Sequence, residues 1–419
     1  MKKFLSVALM LLMMTGLTAG CVGGSDADDS GEKKITVYMT VGEEPLKQQL
    51  REIGKEFEKK YHTKVEFQFP GNDYENILKV KMAANDLPDV FDTHGWAKIR
   101  YGKYLADLRG EPWASKMTDT IRPVLTDEKG KVYALPLNEA KDGIAYNADV
   151  LKQYGIAPPQ TFDQLMAAAD QIKKKSKGQV TPFFFYGAES SSLAQFFDQF
   201  ATPLLISPKK NEAQALLNNK FDWNKWTYLP QKFLEMHKKG YINKDVLTAR
   251  STDLPQLFAQ GKVAFAVGGP SFLEQAKQIN PKLNAGYMPV PAIVPGDQPS
   301  FSGGERYTLG AWKDSKHLKE AKQFIAFVAQ PENLKKIAET SKLPPGIKGI
   351  EADLGDLTPY YKKYENTRVF PYFDRVYLPN GMWDVMGTLS QELLAGSITP
   401  QQYSQRMKEE YHRLRNQLR

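Results

Sequence analysis

The residue whose chemistry is best defined in this sequence is Cys21, the only cysteine among 419 residues. It follows a basic lysine pair, an almost unbroken apolar run and three small residues. That run is shorter than the roughly 18 residues a membrane span needs, which is typical of a secretory signal. A sulfur placed directly after small residues suits the attachment of a diacylglyceryl group. We predict that residues 1–20 are removed and that Cys21 is lipidated; the alternative is an ordinary signal peptide with a chance cysteine.

No nucleophile, cofactor or metal motif appears elsewhere. The chain has no GxxxxGK[ST], no GxGxxG after a strand, no GxSxG and no HExxH. Its five histidines are far apart and lack metal-ligand spacing. The 48 acidic residues make a chance glycosidase pair possible, so carboxylates alone do not identify an enzyme. We predict no enzymatic activity, no catalytic residue, no cofactor and no metal site.

Charge and composition favour an exported, tethered protein with two lobes. The net charge is +8 for the whole chain and +6 without residues 1–20, which hold two lysines and no acids. No compact basic stripe accompanies this charge, so nucleic acid is not a predicted partner. Residues 21–33 are small and polar and predict a flexible tether. The remaining length exceeds what one core usually supports, and no cysteine remains for a disulfide.

Hydrophobic periodicity predicts an α/β fold. Ile35, Val37 and Met39 alternate as a strand, and the apolar positions that follow Pro45 recur every three or four residues as in a helix. Another alternating strand and another helix come next, with short connections. Strand and helix in regular alternation favour a parallel sheet covered on both faces. Thr161–Gln164 and Thr399–Gln402 have capping-box spacing and predict helix starts.

A set of short phrases occurs in a characteristic order. They are Leu87–Phe91 (LPDVF), Gly130–Pro136 (GKVYALP), Gly143–Asn147 (GIAYN), Leu151–Gly155 (LKQYG), Gly261–Pro270 (GKVAFAVGGP) and Ser315–Pro345. In this order, behind a leader that resembles a bacterial lipobox, the chain resembles the extracellular solute-binding proteins of sugar ABC importers, the family that includes maltose-binding protein. The resemblance covers about residues 34–415.

The resemblance implies a fold and a division of the chain. The fold is a two-lobe periplasmic-binding-protein-like α/β fold, each lobe a mainly parallel sheet flanked by helices, with a ligand cleft and a hinge of several strands. The first lobe is expected to combine residues 34–140 and 302–345. The second is expected to combine residues 141–301 and 346–419.

Candidate ligand-binding residues come from two kinds of argument. Ligands of open α/β sheets lie beyond the carboxyl ends of strands, and a glycine-rich segment lets backbone amides approach a ligand. The resemblance adds the hinge strand, a turn where many sugar binders have Trp but this chain has Phe, and a Trp near the C-terminal end. Strand ends give Thr40, Glu43, His94, Trp96, Tyr186 and Glu189; the glycine-rich segment gives Gly304 and Glu305; the resemblance gives Glu139, Asp142, Phe272 and Trp383.

These residue types suit a carbohydrate. A sugar ring has an apolar face that stacks on an aromatic ring and a rim of hydroxyls that need donors and acceptors. We predict a monomer, held by its lipid at the outer face of the cytoplasmic membrane, that captures a sugar and delivers it to ABC permease subunits served by a cytoplasmic ATPase. An extracellular carbohydrate-active enzyme and a cell-wall-binding lipoprotein are the alternatives.

Overall fold

The computed structural model describes residues 33–93 and 95–416. The predicted signal sequence, Cys21, nearly all of the predicted tether and His94 lie outside the described residues. The strands are β1 (Lys33–Tyr38), β2 (Thr63–Gln68), β3 (Val90–Phe91), β4 (Leu135–Pro136), β5 (Glu139–Asn147), β6 (Thr181–Phe183), β7 (Ile206–Ser207), β8 (Lys210–Asn211), β9 (Val263–Gly268), β10 (Ala285–Met288), β11 (Phe301–Glu305), β12 (Thr308–Ala311) and β13 (Val369–Pro371).

Helices cover both faces of the sheets, and no helix of the described part is long and apolar enough to cross a membrane. They are α1 (Glu44–Tyr61), α2 (Tyr74–Ala84), α3 (Arg122–Leu125), α4 (Ala148–Tyr154), α5 (Phe162–Lys175), α6 (Ser191–Leu205), α7 (Ala213–Leu217), α8 (Tyr228–Lys238), α9 (Asp253–Ala259), α10 (Phe272–Ile279), α11 (Leu318–Val328), α12 (Pro331–Ser341), α13 (Thr358–Lys363), α14 (Phe373–Tyr377), α15 (Met382–Leu394) and α16 (Pro400–Asn416).

Local sequence signals explain where several helices begin and which face they bury. Both halves of the predicted capping box form at α5, where Thr161 and Gln164 exchange side-chain to backbone hydrogen bonds of 3.2 and 3.3 Å. The same exchange between Thr399 and Gln402 opens α16. The apolar stripe of α1 is buried as its spacing predicts.

Each lobe has its own sheet, and the predicted two-lobe α/β class is confirmed. The first sheet has the order β2-β1-β3-β12-β4, and the second has the order β13-β11-β5-β9-β6 with β10 also paired to β5. Both sheets are mixed rather than mainly parallel. The chain enters the second lobe on β5 and leaves it on β11, so these neighbours run in opposite directions. The same reversal makes β12 antiparallel to β3 and β4.

The second sheet is buried on both faces. Ile144 and Tyr146 of β5 contact one apolar cluster, whereas Ala145 between them contacts another on the opposite face. This alternation follows from the two-residue period of a strand. The first lobe has a separate cluster that receives residues from both of its chain segments, including Leu309 of β12 and Phe324 of α11.

Two chain crossings between the lobes lie later than the sequence predicts. Ser302–Glu305 were expected in the first lobe, but β11 pairs with β5 and β13 of the second sheet, so the crossing falls at Arg306 and Tyr307. Ile347 was expected in the second lobe, but it pairs with Met117 and is buried in the first-lobe cluster. In both places strand pairing over long sequence distances decides the boundary.

Gly303 allows the strands at the lobe boundary to approach closely. A Cβ at this position would clash with the carbonyl oxygen of Ala140 on β5. Since backbone must then move, we expect Gly303→Ala to lower the free energy of unfolding by about 1–3 kcal/mol. Gly110→Ala is the control, because its Cβ meets nothing within 4 Å. Urea unfolding of both variants checks this, and equal midpoints would contradict it.

Candidate functional site

The pairing of β5 with β11 concentrates polar side chains where the lobes meet. In this ladder Glu139 lies opposite Glu305, and Asp142 lies opposite Ser302. The chain leaves β11 through Arg306 and Tyr307 and enters the first lobe as β12. The side chains of Glu139, Asp142, Glu305, Arg306 and Tyr307 therefore lie where the chain passes between the two lobes.

The crossing at Arg306 and Tyr307 ties this junction to the first lobe. The Tyr307 hydroxyl donates to Glu43 Oε2 at 2.8 Å. The Arg306 guanidinium lies over the Tyr307 ring, with its Cζ 5.5 Å from the ring centre. Glu43 directly precedes α1, as expected from its place after the first strand. Glu43, a predicted residue of the first lobe, is thus hydrogen-bonded to the crossing through Tyr307, which the sequence analysis did not select.

Asp142 lies buried on the second-lobe side. Its Oδ2 accepts a hydrogen bond of 2.9 Å from the Tyr372 hydroxyl. Burial raises the pKa of this carboxyl, and the nearby Arg306 and Arg375 partly oppose that rise. A Cβ on Gly269 would lie 3.1 Å from Asp142 Oδ1, which places the turn after β9 beside the same carboxylate.

Glu305 is a buried acid of this region whose carboxylate lacks hydrogen-bond partners among the other residues that the structure describes. It is only 1 % exposed, and neither carboxylate oxygen has a hydrogen-bond partner in another described residue. Burial raises its pKa to about 7; Arg375 opposes the rise, and Asp92 and Asp374 add to it. A buried carboxyl of this kind needs hydroxyl or amide donors from a bound molecule, or a proton of its own.

On the first-lobe side Asp92 organises the ends of β1, β3 and β12. Its Oδ1 accepts bonds from the Thr308 amide at 3.0 Å and the Thr308 hydroxyl at 2.9 Å. The Thr40 hydroxyl bonds to Asp92 Oδ2. Thr40 therefore lies at the predicted strand end, with its hydroxyl turned towards Asp92.

Tyr186 and Glu189 follow β6 in the second lobe, and their side chains have different partners. Tyr186 is half-buried; burial raises its pKa, Glu189 adds to this, and the charge of Arg306 lowers it. Tyr186 therefore lies near the junction. Glu189 instead accepts from the backbone and hydroxyl of Ser251, with its Oε1 at 3.1 and 3.0 Å. Phe272 is half-buried and packs edge-on against Phe258 of the second lobe, with the ring centres 5.1 Å apart.

The two candidate tryptophans have different surroundings. Trp96 is 8 % exposed, and the Arg100 guanidinium lies 4.8 Å from its ring centre, so one face of the indole is already covered. Trp383 is half-buried near the start of α15. Three residues earlier, Asn380 bonds to Arg100 of the first lobe. Trp383 packs against the apolar cluster of the second lobe and lies three residues along the chain from a point where the lobes touch.

Other predicted residues lie within the junction itself. Glu139 is buried with its Oε2 4.0 Å from Lys141 Nζ, and burial raises its pKa. Gly304 has a φ of 147°, which favours glycine, and it precedes Glu305 on β11.

Sequence reasoning missed several charged groups of the junction. Arg306, Tyr372 and Arg375 were missed because they belong to no sequence motif that would select them. Asp198 of α6 and Asp374 of α14 form a buried carboxyl pair, in which the Asp374 amide donates to Asp198 Oδ1 at 2.7 Å. Burial, together with the neighbouring carboxyl, raises the pKa of Asp198. An acid in the mostly apolar α6 sequence was the one available signal. In the described residues, no group of three or more His, Cys, Asp or Glu is placed to hold a metal ion.

The family model of the bacterial extracellular solute-binding proteins matches residues 43–335. The chain belongs to this family. It is 49 % identical over 416 residues to the melibiose/raffinose/stachyose-binding protein MelE of Bacillus subtilis strain 168, covering 99 % of this chain and 96 % of that one. Membership, together with relatives that are sugar-binding proteins, confirms the predicted sugar-binding function in ABC transport and the prediction that the protein is not an enzyme.

Solved structures agree with this membership. A sugar transporter protein of Bacillus licheniformis in complex with stachyose is 52 % identical, with a TM-score of 0.84 over 91 % of this chain and all of that one. A binding protein of Bacillus subtilis strain 168 in an open conformation is 50 % identical, with a TM-score of 0.88 over 93 % of this chain and 99 % of the other. The two-lobe family fold thus extends over nearly the whole described chain.

The raised pKa of Glu305 predicts how its charge affects stability. The folded protein holds this proton more tightly than the unfolded chain, whose pKa is near 4.5, so ionisation weakens the fold. Relative to Glu305→Gln, the wild type should lose stability as pH rises from about 4.5 to about 7 and level off above. The loss of folding free energy is expected to be on the order of 3 kcal/mol.

Thermal unfolding of both proteins across this pH range measures the effect. Glu235→Gln is the control, because hydrogen bonds from Lys239 and Lys232 lower the pKa of Glu235. The stability that the Glu235 carboxylate contributes is nearly complete about one pH unit above its unfolded pKa of 4.5. The stability difference between wild type and Glu235→Gln should therefore stay constant from about pH 5.5 to 7. A wild type and Glu305→Gln with parallel profiles would contradict the assignment.

Proposed function

We propose that this protein captures α-galactosyl oligosaccharides of the melibiose, raffinose and stachyose type and delivers them to an ABC permease. The observation that carries the proposal is the 49 % identity, over 99 % of the chain, to a protein named for those three sugars. A second relative of similar identity was solved with stachyose bound. Identity of this extent argues for a shared ligand class.

The junction has the groups that such a ligand needs. Glu305 and Asp142 supply buried acceptors, and Arg306 and Arg375 supply donors beside them; the Tyr372 hydroxyl, whose hydrogen is bonded to Asp142, can accept from a ligand. A sugar presents neighbouring hydroxyls that both donate and accept, so it can satisfy both carboxylate oxygens of Glu305 at once. We propose that the ligand-binding set comprises the predicted residues Thr40, Glu43, His94, Trp96, Glu139, Asp142, Tyr186, Glu189, Phe272, Gly304, Glu305 and Trp383, joined by Arg306, Tyr372 and Arg375.

We propose that the lobes close on this sugar by bending at the crossings. The crossings at Arg306–Tyr307 and near Ile347 supply backbone outside the strands, where dihedral angles can change without breaking a ladder. Closure excludes water from the buried carboxyls and strengthens their hydrogen bonds to ligand hydroxyls. A monomer with one cleft suffices for this capture.

Ligand titration tests the proposed specificity. Calorimetry should show that stachyose, raffinose and melibiose bind the purified protein, with stachyose at least tenfold tighter than a glucose-only tetrasaccharide. Equal or tighter binding of the glucose oligosaccharide would contradict the proposal.

Trp383 is expected to stack on a sugar ring. Trp383→Ala should weaken stachyose binding by about 1–3 kcal/mol, because a buried aromatic contact is lost, while Trp383→Phe retains most of it. Trp312→Ala is the matched control: Trp312 is also half-buried, but it follows the end of β12 that points away from the junction. Unchanged affinity with a lowered unfolding midpoint for Trp383→Ala would show that this side chain only packs the second lobe.

We propose that Cys21 anchors the protein to the outer face of the cytoplasmic membrane. The support is its position after small residues at the end of an apolar run. Cys21→Ser should release the protein into the medium or leave the precursor uncleaved, since no sulfur is available for the lipid. Fractionation and immunoblotting measure this. A mature-sized variant that stays with the membrane would count against lipidation.

A further inference from the structure

The lobes touch at one side of the junction through two arginines. Arg100 of the first lobe pairs with Glu75 and bonds to Asn380 of the second lobe. Arg375 of the second lobe reaches the first lobe in the opposite direction and packs against Gly95. Both contacts join the segment around residues 95–100 to the segment around residues 375–380.

Arg375 is held firmly on its own lobe. Its guanidinium lies over the Tyr372 ring, with Cζ 4.3 Å from the ring centre. Its Nη1 donates to the Glu305 carbonyl oxygen at 3.1 Å. The same charge acts on the carboxyls of Asp142, Glu305 and Asp374. Arg375 is therefore the cation that these buried acids share.

Gly95 makes the space into which Arg375 extends. Its φ is 83°, and a Cβ built there would lie 2.5 Å from Arg375 Nε and 2.6 Å from Cζ. No side chain larger than hydrogen fits unless the Arg375 side chain moves from its Cδ outwards. Because the two residues belong to different lobes, this contact requires the lobes to be together on this side.

We propose that Gly95 is a positioning residue for ligand capture: its missing side chain admits Arg375 to the first-lobe wall when the lobes close, and so completes the binding site. The inference rests on the proposed function, since closure around a sugar is what brings the two residues together. It gives the glycine a role beyond its backbone conformation, and it gives Arg375 a partner in each lobe.

A pair of glycine variants separates the two roles of Gly95. Gly95→Ala introduces both backbone strain and a clash with Arg375. Gly71→Ala introduces strain alone, because Gly71 also belongs to the first lobe, has a φ of 62° and has nothing within 4 Å of its Cβ position. We expect calorimetry with stachyose to give a Kd at least tenfold weaker for Gly95→Ala and within twofold of wild type for Gly71→Ala.

A double-mutant cycle then tests whether Arg375 is the clashing group. Arg375→Ala alone should weaken stachyose binding, because the shared cation is lost. Adding Gly95→Ala to Arg375→Ala should change Kd by no more than twofold, since the space is then empty. Additive losses in the double variant would show that Gly95 acts without Arg375 and would overturn the inference.

The remaining outcomes are equally decisive. If the wild type binds stachyose and Gly95→Ala binds it as Gly71→Ala does, the inference is wrong and the proposed function stands. If Gly95→Ala lowers the thermal midpoint without ligand by more than Gly71→Ala does, the contact belongs to the ligand-free protein and the closure role is wrong. If the wild type binds none of the three galactosides, both proposals fail.

Discussion

The antiparallel pairing of β5 with β11 is the constraint on which the rest of the molecule depends. Both strands belong to the second sheet, yet each connects directly to a strand of the first. Four residue pairs in this ladder set the positions of Asp142 and Glu305, and the turn out of β11 sets those of Arg306 and Tyr307. The strands come so close at Gly303 that no side chain fits against Ala140. Any movement of one lobe against the other must therefore pivot outside this ladder, on residues such as those that follow it, and one of these, Arg306, belongs to the ligand-binding set that we propose.

Burying acids at such a pivot is costly unless something compensates the charge. Asp142, Glu305, Asp198 and Asp374 all have carboxyl pKa values raised by burial, and two guanidiniums, Arg306 and Arg375, lie among them. Asp142 is partly compensated by Tyr372, and the Asp198–Asp374 pair by a backbone amide. Glu305 has no such partner in another described residue. An apolar side chain would suit the fold better at that position, and this agrees with our proposal that a ligand brings the hydroxyl donors.

Features coded by neighbouring residues were predictable, and features that depend on distant pairing were not. The capping box of α5 and the buried stripe of α1 follow from residues within one or two turns, and the order of short phrases was enough to identify the family. The crossings after β11 and near Ile347 were placed too early in the sequence. Ser302–Glu305 and Ile347 pair with residues far away along the chain, and those partners decide the lobe to which they belong. Asp198 and Asp374 are 176 positions apart, so no local sequence pattern predicts their contact. Arg306 and Arg375 were missed for the same reason, whereas Glu305 was selected as a candidate because it follows two glycines, and its role in ligand binding stays a prediction.

The glycines of this protein show why residue type alone does not reveal function. Gly71 and Gly95 both have positive φ, and a sequence reader would assign both to turns. Only the packing separates them: open space surrounds the Cβ position of Gly71, whereas an arginine of the other lobe fills that of Gly95. In a turn, glycine is needed because its own backbone has a positive φ. At a contact between lobes, glycine is needed because a side chain of the other lobe occupies the space where a Cβ would lie. The second requirement arises from the relative placement of two sheets, which the β5–β11 ladder constrains. If the lobes close as we propose, that constraint is what would make a methyl group in place of the Gly95 hydrogen affect ligand capture.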